Sequence, residues 1–513
     1  METFRRVMFL VIAAALLLRL RPLLGMGDDL RAAISEDGYL MLTVARNLGI
    51  GNGLTVSEGE IWTNGIQPLA TIFYALPYFA LGEGKALGIA GVVLIMTVIS
   101  LVATYLVYAL ARRLVPGESD LVPLAAATLW ASSPLLFGHS MNGLETGLYT
   151  AFILATLIYL HDRIAAHRVM TLAESIGLGA LCGLTFLVRN DGAILVAVLL
   201  ITRFLHVQLV DRATLGDAFK EGFVAGIVSL LFASPWLAYN VSIFGSIMPI
   251  SGYAQSLTAE FAGNIALIPA KLFEMMVPIA PIPGSLETSA LVIAICLAAL
   301  LTILAAFIAL QSQRPASAKV VMLVYLLFTL GLASHYGLNF GAPWFLSRYL
   351  APTAPILIIA STSVFWWVLS RLTSQRLGAR ALATLVAAGL ALTVYKGYSG
   401  KQHGHLQVVD WVQDHVPAET WVGAVQTGTL GYWHDRTINL DGKVNPTALR
   451  AIMSEGSVLA YVTASDIDIL ADWHGITGWL EHSNADFTAA FELVLVDETA
   501  NLGVLRRRNR RSE

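Results

Sequence analysis

"IQPLATIFYALPYFALG", residues 66–82, is apolar enough to pass for a short membrane span. Whether it crosses the bilayer decides the course of the chain on either side. A bilayer core takes roughly 20 apolar residues per helix. Eleven other stretches approach that length: 7–25, 86–110, 121–137, 146–160, 172–188, 191–206, 222–239, 287–310, 319–337, 346–369 and 380–397. Lys and Arg in short connections then orient the chain, because positive loops stay in the cytoplasm. With eleven spans, every basic cluster falls on that side: Arg5 and Arg6; Arg112 and Arg113; Arg163 and Arg168; Arg203, Arg212 and Lys220; Arg314 and Lys319; Arg371, Arg376 and Arg380. A twelfth span at 66–82 would put Arg112 and Arg113 outside and invert every later cluster. Pro68 and Pro77 also suit a short, broken element. The stretch therefore reads as an interfacial or partly embedded helix on the outer side.

The composition agrees with a polytopic α-helical membrane protein. Of 513 residues, 56% are hydrophobic and 13% charged, against about 25% charged in soluble domains. Mean hydropathy is +0.68. A net charge of -3 gives no field suited to nucleic acid. Cys182 and Cys296 both lie in apolar runs, so neither a disulfide framework nor a Cys-rich metal site is available. "LLLRLRPLLG" offers no small-residue cleavage site, so the first apolar run reads as an uncleaved span with the N-terminus in the cytoplasm. Arg19 and Arg21 at its end are expected to snorkel to the interface, with a phosphate contact as the alternative.

Residues 1–399 form the expected membrane domain, with long outer loops at 26–85 and 240–286. Residues 400–513 read as a small soluble α/β domain on the outer face, in which "WVGAVQTGTLGYWHDRTINLDG" suggests strand, short helix, strand. "SVLAYVTA" and "FELVLVDE…NLGVLRRR" suggest further strands, and "RRRNRR" a solvated tail.

Acids gather on the outer face. Glu36 and Asp37 open the first loop in "SEDGYLMLTVARN" (35–47), Glu145 lies in "MNGLETGLY", and Asp191 in "VRNDGAIL". Charge at membrane depth is costly and marks a candidate functional site. Ser35 followed by two acids is also an ordinary helix start. Helical spacing separates the pair. Asp37 shares a stripe with Leu40, Met41, Val44 and Leu48, whereas Glu36 shares one with Thr43 and Asn47. The first stripe is expected to face protein or membrane and the second a more polar surface. A carboxylate on a buried stripe needs a partner, a substrate or a proton, which makes Asp37 the better catalytic candidate. Glu145 reads alternatively as a helix cap with Asn142 and Thr146, and Arg189 with Asp191 as an ion pair closing a tight turn. "APWFLSRYLAP" offers Arg348 and Tyr349, Arg being suited to phosphate, with interfacial anchoring as the alternative. Trp62, Trp344 and Tyr253 read as interfacial aromatics on which a sugar can also stack. His139 reads as a polar loop residue rather than a metal ligand.

These pieces together resemble the GT-C glycosyltransferases, polytopic enzymes that use polyprenyl-phosphate-linked sugars. "EDGYLMLTVARNLGIGNGLTV" resembles their acidic first-loop motif, and "WTNGIQPLATIFYALPYF" the juxtamembrane helix after it. "LWASSPLLFGHSMNGLETGLYTAFILATLIYL" resembles the second outer loop. "VRNDGAIL" resembles an Arg-Pro-acid-Gly turn with Asn190 in place of Pro, and "SRYLAPTAPILI" a late Arg-Tyr motif. "YWHDRTINLDGKVNP" resembles part of the outer domain of arabinofuranosyltransferase-like members. The resemblance implies an inverting transferase at the outer face of the cytoplasmic membrane. Asp37 is then the general base on an acceptor hydroxyl of a glycan, glycolipid or protein. Glu36 and Glu145, near Asn142, His139 and Asp191, bind the acceptor, and Arg348, Tyr349 and Arg189 hold the donor phosphate. No cofactor is required by the sequence, and a divalent metal bridging Asp37 and Glu145 is left open. The competing classes are a transporter or lipid-linked-sugar flippase, against which the one-sided charges and lack of a repeat argue, and a sugar-lipid-binding protein without turnover.

Overall fold

The computed structural model describes residues 2–25, 28–115, 120–166, 169–279, 281–398 and 405–508. Arg168, position 117 and the last basic residues of the tail lie outside these. Helices occupy all eleven stretches expected to span. Among the described residues, eight helices are long and apolar enough to cross a membrane, or nine if one bent pair counts as a single span. That pair, Leu121–Ser132 and Pro134–Ser140, is bent by 63°. Pro134 lacks the N–H that would continue the ladder, and Ser133 caps the second piece by accepting from the Leu136 N–H. Residues 66–82 supply the helix Pro68–Leu81, only 14 residues long, lying against Glu36–Gly49 and the start of Lys85–Leu114.

Three of the basic clusters converge on one face. Arg5 (2.8 Å) and Arg112 both pair with Asp120, Arg113 pairs with Asp162 at 2.6 Å, and Arg314 donates to the Arg113 carbonyl. Helix Lys85–Leu114 carries Arg112 and Arg113 at this end. Its other end meets the C-terminal domain, where Lys85 Nζ donates to the Trp433 carbonyl at 3.1 Å. At about 1.5 Å per residue, those 30 residues carry the chain some 45 Å, enough to separate the two faces of a bilayer. Arg19 departs from expectation. It is buried rather than snorkelling, and bonds Ser100 Oγ at 2.8 Å and the Ala131 carbonyl at 3.0 Å beside the helix break.

The first outer loop carries a two-stranded hairpin, β1 (Thr55–Val56) and β2 (Ile61–Trp62). The C-terminal domain holds β3 (Val422–Ala424), β4 (Thr437–Asn439), β5 (Ile469–Asp472), β6 (Phe491–Asp497) and β7 (Leu502–Arg507) in the order β4-β3-β5-β7-β6. β3 runs parallel to β4 and β5, and β7 is antiparallel to β5 and β6. "SVLAYVTA" is a helix, Leu459–Ala464, not a strand: Val458 and Val462 are buried at the i, i+4 spacing, and Ser457 Oγ accepts the Leu459 N–H. The tail begins as strand, with Arg507 donating to the carbonyls of Val462, Thr463 and Ser465 around the end of that helix.

Candidate active site

The acidic helix Glu36–Gly49 starts as its sequence suggests, Ser35 Oγ accepting the Gly38 N–H at 3.2 Å. It is fixed from the side by the loop before Glu145. Ser35 N–H and Oγ both donate to the Asn142 carbonyl, at 3.0 and 2.9 Å. Gly38 is required here, since a Cβ would stand 2.1 Å from that oxygen. Asn142 thus braces the site through its backbone rather than entering it. His139 acts similarly: its Nε2 lies 2.9 Å from Ser347 Oγ, next to Arg348.

A cavity of about 600 Å³ opens beside this helix. Asp37, Leu40 and Met41 line it together, as the helical stripe requires. Glu145, Arg189, Asp191, Arg348 and Tyr349 come to the same cavity. Arg348 donates from Nη1 to Asp37 Oδ2 at 2.8 Å and from Nη2 to the Tyr349 hydroxyl at 3.0 Å. Its guanidinium lies 4.6 Å from the Phe345 ring centroid. Burial pushes the Asp37 carboxyl up, but the charges of Arg348 and Lys443 override it and hold the group below the usual carboxylate range.

Arg189 and Asp191 form the turn-closing pair. Arg189 Nε lies 3.0 Å from both Asp191 oxygens, and Tyr336 donates to Asp191 at 2.5 Å. Tyr149 and Tyr349 place their ring centroids 4.6 and 5.1 Å from the guanidinium. Asp191 therefore serves its arginine rather than the helix it precedes. Glu145 differs. It is 4% exposed, its nearest cation is Arg189 at 3.9 Å, and its carboxylate makes no hydrogen bond among the described residues. Its carbonyl accepts the Tyr149 N–H at 2.8 Å at the start of the next helix, but its carboxylate makes no capping bond among the described residues.

Glu36 leaves the cavity altogether. Its carboxylate accepts the N–H groups of Gly428 and Thr429 (2.8 Å to the latter) and the Thr429 hydroxyl at 2.5 Å. On the stripe expected to face a polar surface, Asn47 is buried and bonds the Thr55 carbonyl at 2.9 Å, and Glu36 makes a joint with the C-terminal domain. That joint extends through Arg46 to Asp435 at 3.0 Å, Tyr78 to the Tyr432 hydroxyl at 2.8 Å, and Arg31 to Asp410 at 2.7 Å. Glu36→Gln is expected to loosen it, since losing charge-assisted bonds in a buried site costs about 1–3 kcal/mol. Hydrogen exchange should rise at residues 425–433 before it rises in the membrane helices; unchanged exchange there would refute the joint.

The same joint delivers a residue that sequence reasoning did not single out. After β4, the turn Asp441–Gly442 (φ +78° at Gly442) carries Lys443 into the cavity. Lys443 Nζ pairs with Asp441 Oδ2 at 3.0 Å and lies close enough to Asp37 for each charge to shift the other. The backbone there packs so tightly that a Cβ on Gly65 would lie 1.9 Å from the Lys443 carbonyl. The available signal was the loop's place at the C-terminal end of a parallel strand, where ligand-binding residues concentrate.

Trp344 stands 73% exposed at the edge of the bundle, and Trp62 and Tyr253 line a neighbouring cavity instead. Among the described residues, no three His, Cys, Asp or Glu side chains converge as metal ligands.

The apo crystal structure of ArnT from Cupriavidus metallidurans matches this architecture with a TM-score of 0.60 at 14% identity, over 97% of both chains. The form bound to undecaprenyl phosphate matches at 0.59 and 12%, also over 97% of both. The chain has the GT-C fold. The oligosaccharyltransferase AglB from Archaeoglobus fulgidus, in complex with an inhibitory peptide and a dolichol-phosphate, shares the GT-C fold at a TM-score of 0.55 and 14% identity, over 97% of this chain and 74% of that one. The family model "Dolichyl-phosphate-mannose-protein mannosyltransferase" matches residues 77–239, which hold Glu145, Arg189 and Asp191 but neither Asp37 nor Arg348. A model described as a domain of unknown function matches 394–506, and so includes Lys443. A terminal β-(1→2)-arabinofuranosyltransferase of Mycobacterium tuberculosis is 29% identical over 141 residues, 26% of this chain. The match spans 21% of that relative's length.

Proposed function

We propose that this protein is a membrane glycosyltransferase that moves a sugar from a polyprenyl-phosphate donor to a hydroxyl acceptor. The observation that carries the reading is the contact of Asp37 with Arg348 in a cavity that also holds Glu145 and Lys443. A base, a second carboxylate and two cations are what inverting transfer from a phosphate leaving group needs. The acceptor hydroxyl gives its proton to Asp37 as its oxygen bonds the anomeric carbon. The bond from that carbon to the phosphate oxygen breaks, and the lipid phosphate leaves toward Arg348 and Lys443, whose charges stabilise it as it forms. Glu145, with no hydrogen bond among the described residues, orients the acceptor. A donor phosphate competes with Asp37 for Arg348, so donor binding releases the base when it is needed. Relatives in sequence and fold whose names carry dolichyl phosphate mannose, undecaprenyl phosphate and dolichol-phosphate support this donor class. The one-sided gathering of charge speaks against transport.

The direct test incubates the purified protein with radiolabelled polyprenyl-phosphate pentoses or hexoses and envelope glycans. Label should leave the lipid fraction for the acceptor; label that only crosses a vesicle membrane would favour a flippase. The same assay with EDTA tests the divalent metal, for which Asp37 and Glu145 are the available ligands.

The reading places the site and the C-terminal domain outside the cytoplasmic membrane, with the N-terminus inside. In intact cells, an impermeant maleimide is expected to label Glu58→Cys and to spare Gly117→Cys. The reverse pattern would invert the topology.

A further inference from the structure

Beside the catalytic cavity lies a second of about 620 Å³, within the range of about 300–1,000 Å³ typical of ligand sites. Three chain segments wall both. One runs from Trp62 in the second cavity to Gly65 in the first, another from Pro446 to Lys443, and Met248 lines both. Three extended residues span at most about 10 Å, so the cavities adjoin. Asn64 ties this shared wall together, its side chain bonding Asn240 at 3.1 Å and the Ile250 N–H at 3.0 Å.

The lining is mixed in a particular way. Trp62 is 50% exposed, and its ring is seated over Gly53, where a Cβ would lie 3.0 Å from it. Tyr253 presents its ring, with its hydroxyl 3.0 Å from Ser246 Oγ. Arg450 lies along the start of helix Pro446–Glu455, 3.2 Å from Thr447 Oγ1, and Glu60 adds an exposed carboxylate. Flat aromatic faces suit the C–H faces of sugar rings, while a carboxylate and a guanidinium suit their hydroxyls. A hydrocarbon tail would take the charges of Glu60 and Arg450 out of water without offering either a counter-charge, at a cost.

We propose that the second cavity is an acceptor subsite for carbohydrate, holding sugar units beyond the one that reacts, so that the acceptor is an oligosaccharide or longer glycan. The C-terminal domain, through Arg450 and Thr447, then reads acceptor length. The inference rests on the glycosyl-transfer reading for what happens in the first cavity, but the binding is testable without turnover.

The test uses the full-length Asp37→Asn protein in detergent, titrated by fluorescence anisotropy with labelled arabinofuranosyl and mannosyl monosaccharides and tetrasaccharides. One tetrasaccharide should bind about ten-fold more tightly than its monosaccharide. Trp62→Ala and Arg450→Ala should each erode that ratio, and Trp62→Phe should restore most of it. Equal binding of the two lengths, or a length preference untouched by Trp62→Ala, would overturn the proposal. So would loss of undecaprenyl phosphate binding in Trp62→Ala with saccharide binding unchanged, which would make the occupant a lipid. Length-dependent binding without any transfer by the wild-type protein would remove the transferase reading and leave the subsite standing.

Discussion

Asp37→Asn is expected to lower kcat for sugar transfer by about 10²–10⁴-fold, the range a positioned general base contributes. The change keeps the side chain's size and removes its charge together with its ability to take a proton. Folding should survive, because Ser35, Gly38 and Asn142 fix the start of the acidic helix independently of residue 37. Donor affinity separates a base from a binding residue. Asn competes less well than a carboxylate for Arg348, so the donor phosphate should bind as tightly as before or more tightly. A measured donor Kd that rises while kcat holds would reassign Asp37 to binding. Activity within ten-fold of wild type would remove it from catalysis.

Asp37 was legible in the sequence because its evidence is local. Helical periodicity put it on one stripe with Leu40 and Met41, and those three residues line the cavity together. The helices were legible for a similar reason: apolar length and basic ends are properties of single segments, and Arg5, Arg112, Arg113 and Arg314 do gather at one face. What depended on distant partners was not legible. Glu36 reads as a helix-start acid or a ligand until Gly428 and Thr429, almost 400 positions later, are seen to occupy it. Arg19 reads as a snorkelling cation until the kink before Pro134 brings the Ala131 carbonyl to it. "SVLAYVTA" failed for another reason, since a short apolar run fits strand and helix alike.

Lys443 shows how the two domains make one site. Its position in the sequence gives it no acidic neighbour on the membrane helices. The fold brings it to Asp37 by a chain of local causes: a parallel strand, a Gly442 turn, and a close approach over Gly65. The C-terminal domain therefore walls the candidate cavity, and Glu36 is the residue of the acidic pair that docks it.

Arg348→Ala is the second large effect, and it should act on two observables. Losing the cation at the leaving phosphate is expected to cut kcat/KM by about 10²–10³-fold, with donor KM raised. The pH profile should move as well, and its sign follows from the charges. Arg348 and Lys443 hold the Asp37 carboxyl below its usual range against burial, which pushes it up. Removing Arg348 takes away the strongest influence against burial while Lys443 remains, so Asp37 takes up a proton at higher pH than before and the acid limb of kcat/KM shifts upward. Arg348→Lys keeps the charge but loses the fork that reaches Asp37 and Tyr349 together, so it should fall between wild type and alanine on both measures. An unchanged donor KM in Arg348→Ala would take the residue out of the phosphate site. An acid limb that stays put would show that the titrating base is not the carboxylate Arg348 holds.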